Sequence, residues 1–192
     1  MTFTTGRAAA PPRELLLDAF EHVLLDGGPR CATTAAVAHR AGMSKGGLLH
    51  HFPSRATLVH ALCRRLEDRV ALDLSLMRAA PAGRVRHYLG TCLAEASPLN
   101  RTFVADTRLR DAADPEAGSV HRAALQAWRT ALREESRSRA DADVVLLVGH
   151  GARHGALPPH ETGTGTGPAS ALAEAVDALL LGGPCEHRPG AR

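Results

Sequence analysis

The sequence predicts an all-α protein, and three observations support this class. Nearly every stretch of helical length repeats apolar residues at every third or fourth position, the period of a helix that buries one face. Clusters of Pro and Gly, including residues 27–29 and 81–83, separate these stretches. The apolar run over residues 144–148 has strand character, but because no second run could pair with it, we expect a helix there as well.

The composition is that of an ordinary globular protein. Its 192 residues are 44% hydrophobic and 22% charged, which excludes disordered and collagen-like classes and leaves room for one or two domains. No apolar run approaches the roughly 20 residues of a membrane span, and the N-terminal residues lack a secretory signal, so we expect a cytoplasmic protein with no membrane partner. Residues 1–70 hold nine Lys and Arg against six Asp and Glu, and therefore the whole net charge of +3. Free thiols are expected at the four scattered cysteines, Cys31, Cys63, Cys92 and Cys185.

The first predicted helix begins after Pro11 and Pro12, which suit a helix start, and ends at Gly27-Gly28-Pro29. Its apolar face consists of Leu16, Leu17, Phe20, Val23 and Leu24. Two short helices are predicted to follow this one.

The two short helices are joined by a tight turn. Thr33 or Thr34 caps the first of them, which is predicted to run through Arg40. Gly42 supplies the left-handed residue with which the chain reverses direction, and Ser44 caps the third helix of the chain. Two such helices separated by a glycine turn predict a helix-turn-helix.

A long fourth helix is capped by Ser54 and runs to Met77, a length that suits a connector between two bodies. Residues 136–143 are interpreted as a charged connection. The remaining helices are predicted over residues 85–96, 101–110, 120–132, 144–157 and 171–180.

The helix-turn-helix carries the functional signal. Ala38 must be small because the next helix crosses closely over it, and Leu48 points back between the two helices. In such a unit the later helix enters the DNA major groove with its N-terminus first, which brings Ser44, Lys45 and Gly47 towards the DNA.

Further groups extend this surface. The two glycines after Lys45 cost about 1 kcal/mol each relative to Ala in a helix, but they let the backbone approach a groove wall. His50 and His51 offer nitrogens to base edges and phosphates. Ser54 and Arg55 place a helix N-terminus and a guanidinium group against the DNA backbone.

This segment resembles the DNA-binding domain of the TetR family of transcriptional regulators, whose members share the pattern TT-x3-A-x2-AGVSKGxLYxHF-xSKxxL. Specific motifs cover residues 13–65, and the rest of the chain is similar only as a succession of helices. Where the family commonly has Tyr this chain has Leu49, which offers no phenol to a phosphate, and Arg55 replaces the usual Lys. The matching residues are Thr33, Thr34, Ala38, Ala41, Gly42, Ser44, Lys45, Gly46, Leu48, His51, Phe52, Ser54 and Leu58.

The resemblance implies a set of DNA contacts and a mode of regulation. It implies a homodimer formed by the last two helices of each subunit, a palindromic operator in double-stranded DNA, and a repressor that a small-molecule effector releases. It implies no enzymatic activity and no cofactor. Phosphate contacts are implied for Thr34, Ser44, Lys45, His51 and Arg55, base contacts for Gly47 and His50, and Ser54 completes the set. The expected domains are residues 1–60 for DNA binding, 61–185 for effector binding and dimerisation, and 186–192 as a flexible tail.

The candidate effector-binding residues are conspicuous because aromatic residues make up only 3% of the chain. An apolar side chain at helical spacing is nevertheless more often part of the core than a ligand contact. The candidates are Met77, Tyr88, Cys92, Phe103 and Trp128.

Three questions remain open in the C-terminal region. His150 and His154 have the spacing of a metal-ligand pair, which would suit a helical metal-binding protein or enzyme, but the HExxH motif would need Glu where Gly151 stands. We therefore expect neither a metal site nor catalytic residues. Small residues such as Gly149 permit close helix packing, either between subunits or within one. A third alternative is a regulator whose C-terminal domain binds a protein partner, or nothing, instead of a small molecule.

Overall fold

The computed structural model describes residues 11–94 and 97–154, together with Leu172 and Val176. Within these residues the secondary structure is entirely helical, which confirms the predicted all-α class. No described helix is long and apolar enough to cross a membrane. Eight helices lie within residues 11–94 and 97–154: α1 (Pro12–Cys31), α2 (Thr34–Arg40), α3 (Lys45–His51), α4 (Arg55–Arg78), α5 (Arg84–Leu93), α6 (Pro98–Asp111), α7 (Pro115–Arg133) and α8 (Arg139–Arg153).

The helices form two compact units. The N-terminal unit comprises Met1–Asp68 and Arg101–His121, and the C-terminal unit comprises Arg69–Asn100 and Arg122–Arg192. Each of the three points at which the chain passes from one unit to the other lies inside a helix, in α4, α6 and α7.

The caps of α2 and α3 form as the sequence predicts. The Thr33 hydroxyl oxygen accepts a hydrogen bond from the Ala36 N–H at 3.2 Å, and that of Ser44 accepts one from Gly47 at 3.0 Å. Gly42 has the left-handed conformation between them, with φ of 67°. The turn of the helix-turn-helix is therefore encoded by residues that are local in sequence.

Apolar side chains of six helices, α1 to α4, α6 and α7, form the core of the N-terminal unit. Leu16 and Phe20 of α1 are fully buried, as is Leu48 of α3. Gly28 interrupts α1 with non-helical angles, at the position where the sequence predicts the end of the first helix. The rest of this core includes Val37, Ala38, Phe52, Leu58, Leu62, Cys63, Ala105, Leu109 and Ala117.

A buried ionic network also holds the N-terminal unit together. Arg65 of α4 donates to Asp18 at 2.7 Å and to the fully buried Glu21 at 3.0 Å, both on α1. The Thr102 hydroxyl of α6 donates to the same Glu21 carboxylate at 2.6 Å. Because buried charges require partners, this network makes the packing of α1, α4 and α6 specific.

In the C-terminal unit, α5 packs directly on α8. A Cβ atom on Gly149 of α8 would lie 2.9 Å from the Cys92 sulfur and closer still to the Tyr88 ring, so only glycine fits there. Of the two possibilities for Gly149, the structure therefore supports close packing within one subunit.

A buried carboxylate joins three helices of the same unit. Asp73 of α4 accepts hydrogen bonds from Trp128 Nε1 of α7 at 2.7 Å and from His87 Nε2 of α5 at 2.9 Å. Thr91 of α5 donates to it at 3.3 Å. Polar contacts thus supplement apolar packing around Asp73.

Several predicted helix boundaries were wrong. The segment over residues 136–143, interpreted as a connection, contains the start of α8, where Ser138 and Asp141 form a capping box. Helix α6 begins at Pro98 and α7 at Pro115, earlier than the periodicity alone indicated. The predicted helix over 171–180 lies outside the described residues except for Leu172 and Val176, both helical, and the expected helix end near Leu157 lies outside them as well.

Candidate nucleic-acid interface

Helix α3 presents one face to the core and the opposite face to solvent. Leu48 is fully buried, and with about 100° of rotation per residue Gly46 and His50 lie on the opposite side. Leu49 borders this outward face and is 37% exposed. Lys45, Gly46 and His50 are exposed, whereas Gly47 is half-buried. The exposed residues of α3 therefore form a short surface strip, and the two glycines lie near the N-terminus of the helix.

The fold does not require glycine at the start of α3. A Cβ atom on Gly46 would meet nothing nearer than the Ser44 Oγ at 3.9 Å, an ordinary contact. On Gly47 it would lie 3.3 Å from the same oxygen, close to the capping hydroxyl. Glycine lowers helix stability by about 1 kcal/mol relative to Ala. Gly46 therefore has no steric role inside the fold, and the missing side chain leaves space for an outside surface to approach the helix.

The other expected contact residues lie around this strip. Thr34 is half-buried at the first position of α2, and Ser54 is exposed immediately before α4. The His50 and His51 rings meet edge to face with their centres 5.2 Å apart. Arg55, at the start of α4, directs its guanidinium group to within 3.4 Å of the Pro29 carbonyl oxygen.

The charge of this region is consistently positive. No acidic residue occurs between Asp26 and Glu67, a stretch that contains six Lys and Arg residues and the whole helix-turn-helix. Lys45 is the one lysine of the entire chain and lies at the N-terminus of α3. Helix N-termini favour anions, because their backbone N–H groups and dipole point outward. The surface therefore suits a polyanion.

Arg13 contributes to this surface in a way that the sequence reasoning missed. Its guanidinium group donates to the His51 carbonyl oxygen at 3.4 Å and lies 4.4 Å from the centre of the Phe52 ring. It thereby fixes the C-terminal end of α3 from α1. No local signal could indicate this contact, because Arg13 and His51 are separated by 38 positions.

Comparison with known proteins agrees with this geometry. Residues 16–62 match the family model described as bacterial regulatory proteins, tetR family. The N-terminal domain therefore has the sequence of a TetR-family DNA-binding domain. The matched segment begins in α1 and ends in α4, and so contains the complete helix-turn-helix. No curated protein matches the chain significantly.

Solved structures share the fold over most of the chain. A transcriptional regulator from Rhodococcus sp. Rha1 is 23% identical, with a TM-score of 0.63 over 88% of this chain and 96% of that one. Salmonella enterica GusR is 16% identical, with a TM-score of 0.60 over 91% and 97% of the two chains. A protein from Rhodococcus sp. described as a TetR-family transcriptional regulator is 19% identical, with a TM-score of 0.59 over 89% and 95%. The likeness to these structures is one of fold.

The five candidate effector-binding residues are all buried. Met77, Tyr88, Cys92 and Trp128 belong to the C-terminal unit, where the Tyr88 and Trp128 ring centres are 5.8 Å apart. Phe103 belongs to the N-terminal unit, and its ring lies 4.5 Å from that of His121. Burial raises the pKa of the Cys92 thiol to about 11.

An open groove lies elsewhere in the C-terminal unit, between the end of α4 and the outer face of α7. Its volume is about 430 Å³. Apolar side chains form its floor, with Arg78 and Glu134 among its polar groups. The lining residues are Leu74, Arg78, Ala123, Gln126, Ala127, Thr130, Ala131 and Glu134, and none of the five candidates is among them.

His150 and His154 face each other on α8 with their ring centres 4.5 Å apart. His154 Nδ1 also lies 2.9 Å from the His150 carbonyl oxygen. Across the described part of the chain, no cluster of three His, Cys, Asp or Glu side chains could hold a metal ion.

Proposed function

We propose that this protein is a sequence-specific transcriptional repressor of the TetR family that binds a palindromic operator as a homodimer and is released by a small molecule. The observation that carries the proposal is the outward face of α3, which bears the positive charge of Lys45. Neither α2 nor α3 contains an acidic residue. In this proposal the protein acts in the cytoplasm, without catalysis, metal or cofactor.

The DNA contacts divide into two groups by chemistry. Lys45, Arg55 and the helix N-termini interact with phosphates and position the protein, whereas the His50 side chain and the backbone at Gly47 touch base edges. The proposed phosphate contacts are Thr34, Ser44, Lys45, His51, Ser54 and Arg55, and the proposed base contacts are Gly47 and His50. In the homodimer the two α3 helices would lie about 34 to 36 Å apart and enter successive major grooves.

The proposed dimer interface includes α8. Val144 and Leu147 lie three residues apart on this helix and are 41% and 70% exposed, while Val145 and Leu146 face the core. Large exposed apolar side chains on one helix face are typical of a partner interface. The other proposed component, the helix over 171–180, lies largely outside the described residues.

The proposed effector site is the groove between α4 and α7. Leu74 and Arg78 of α4 contribute to its lining, so an occupant would contact the helix that continues into the N-terminal unit. Its volume of about 430 Å³ falls in the range of small-molecule sites. A ligand that prefers one position of α4 would shift the equilibrium between operator-binding states.

The first test is selection of duplexes from a random library, followed by fluorescence anisotropy of the selected duplex and a scrambled one at several salt concentrations. We expect a palindromic selected sequence, bound much more tightly than the scrambled duplex, and affinities that fall as salt rises. Equal weak binding to both duplexes would contradict the proposed function.

The second test addresses the effector. Thermal denaturation against a panel of metabolites should identify a compound that raises the melting temperature by mass action and lowers operator affinity in the anisotropy assay. If the protein bound its operator but responded to no compound, the DNA-binding part of the proposal would stand and release by a ligand would be contradicted.

A further inference from the structure

Leu49 is an apolar side chain beside Lys45, His50 and His51, whose side chains are capable of hydrogen bonds or ion pairs. It lies on α3 between the fully buried Leu48 and the exposed His50, and it is itself 37% exposed. It does not belong to the apolar core of the N-terminal unit. Its side chain therefore borders the face that would enter a major groove.

The major groove of DNA presents one apolar group on its base edges, the C5 methyl of thymine. We propose that Leu49 is a specificity-determining residue that reads a thymine methyl group in each operator half-site. This inference rests on the proposed function, because it requires α3 to lie in the major groove. It gives Leu49 a role in base recognition. Without this role, the replacement of the family's usual tyrosine by Leu49 would only remove a phosphate contact.

The neighbouring residues make this contact sterically feasible. Gly46 and Gly47 have no side chains that would hold the N-terminal turn of α3 away from the bases. A helix rises 1.5 Å per residue, less than half of the 3.4 Å between successive bases of one strand. Leu49 and His50 are consecutive, so they lie at nearly the same level along the helix axis, but their side chains point about 100° apart and contact different groups. We expect a leucine contact to a thymine methyl group near the histidine contact.

A contact between Leu49 and a thymine methyl group would not strengthen binding to all DNA sequences equally. A phosphate contact strengthens binding to every sequence, whereas contact with a methyl group rewards only duplexes that carry thymine at that position. Burial of one methyl group stabilises a complex by an amount that corresponds to about fourfold in affinity. The effect is large enough to measure at a single base.

The test uses the full-length protein and the duplex obtained by selection, in which each thymine is replaced in turn by deoxyuridine, which lacks only the methyl group. In each half-site we expect one or two positions, related by the symmetry of the operator, at which a single replacement weakens wild-type binding about fourfold. Replacements at the other thymines should change the affinity little. The Leu49→Ala and Leu49→Gln variants should bind the thymine and deoxyuridine duplexes equally well at those positions.

Leu15→Ala is the matched control, because Leu15 is 41% exposed on α1 and is not part of α3. It should keep the wild-type sensitivity to deoxyuridine. Circular dichroism melting curves would verify that each variant is folded. The deoxyuridine scan of the wild-type protein tests the proposal even if a variant does not fold.

Two results would overturn the inference while the proposed function stands. One is an operator that is bound tightly but shows no position sensitive to deoxyuridine. The other is a sensitivity that persists unchanged in folded Leu49→Ala and Leu49→Gln. Failure of the selection to enrich any duplex would overturn the proposed function and this inference with it.

Discussion

At the scale of single residues, Lys45 offers the sharpest test of how α3 meets DNA. Its exposed ammonium group at the helix N-terminus is placed for a phosphate contact, which contributes equally to all sequences. Lys45→Ala should weaken binding to operator and scrambled duplexes by the same factor and reduce the slope of log K against log salt by about 1. Anisotropy titrations in several salt concentrations measure both effects.

The matched variants distinguish charge from base contact. Lys45→Arg keeps the positive charge and should keep the salt slope. His50→Ala should instead reduce the preference for operator over scrambled duplex, by about 1 to 3 kcal/mol, with little change in the slope. If Lys45→Ala reduced only the sequence preference, Lys45 would be a base contact and the placement of α3 would have to change.

The cysteines provide a second test at this scale, because their environments differ. Burial raises the pKa of Cys63 to about 12 and that of Cys92 to about 11, whereas Cys31 is exposed. The thiolate is the reactive form, so the two buried thiols should be inert at neutral pH. Iodoacetamide at pH 8 should alkylate Cys31 in the folded protein, and Cys63 and Cys92 only after unfolding in urea. Peptide mass spectrometry identifies the modified residues.

The same pKa values predict how stability depends on pH. The unfolded thiols lose their protons near pH 9, before the folded ones do, so Cys63 and Cys92 favour the folded state less and less as the pH rises from about 9 towards 11 to 12. Cys63→Ser and Cys92→Ser should therefore flatten the alkaline decline in unfolding free energy. Rapid alkylation of Cys63 in the folded protein would contradict its burial.

Residues differ in how far the sequence determines their roles. Thr33 and Ser44 cap helices through N–H groups three positions away, so their roles follow from local pattern. Arg65 and Glu21 meet across 44 positions, and no periodicity encodes that pairing. The candidate effector-binding residues show the same limit of sequence patterns. The spacing indicates that Phe103 is buried, but it does not indicate which unit or which neighbouring residue buries it.

At the scale of helices, Gly149 determines the distance between α5 and α8. Any larger residue would collide with Cys92 and Tyr88, so Gly149→Ala should lower the free energy of unfolding by about 1 to 3 kcal/mol. Gly90 on α5 is the matched control, because a Cβ atom there would meet no neighbouring atom within 4 Å. Gly90→Ala should leave stability unchanged or raise it by up to about 1 kcal/mol. Urea denaturation of both variants measures the difference, and equal effects would show that α5 and α8 are not tightly packed.

Helix existence followed from the sequence more reliably than helix ends. The apolar period of 3.6 residues identified the longer helices, because burial of one face imposes that period whatever the partner is, whereas α2 and α3 were predicted from their capping residues and the Gly42 turn. The start of α8 was missed although Ser138 and Asp141 have the spacing of a capping box, because the surrounding charges resembled a loop. The C-terminal end of α5 depends on the Asn100 amide, which donates to the Thr91 carbonyl at 2.7 Å from a different helix.

At the scale of the whole molecule, the two units are not consecutive in sequence. Residues 101–121 belong to the N-terminal unit, and their part of the core includes Ala105, Leu109 and Ala117 beside α4 residues such as Leu62. Sequence periodicity carries no information about such long-range grouping. The division into residues 1–60, 61–185 and 186–192 thus stays a prediction, and limited proteolysis with mass spectrometry would test it.

The oligomeric state gives the final prediction. Leu147 is 70% exposed on the proposed dimer face of α8, and a charge buried in an apolar interface without a partner strongly weakens association. Leu147→Glu should convert the protein to a monomer in sedimentation velocity experiments and reduce operator affinity, because one subunit contacts only one half-site.

Leu72 on α4 is the matched control for this experiment, since it is equally apolar and 61% exposed but is not on α8. Leu72→Glu should leave both the dimer and operator binding intact. If Leu72→Glu produced the monomer while Leu147→Glu did not, the interface would lie on α4 and the proposed pairing of the subunits would be wrong. Because both variants add one negative charge, a general electrostatic effect on DNA affinity would appear in both, whereas loss of the dimer would appear only with Leu147→Glu.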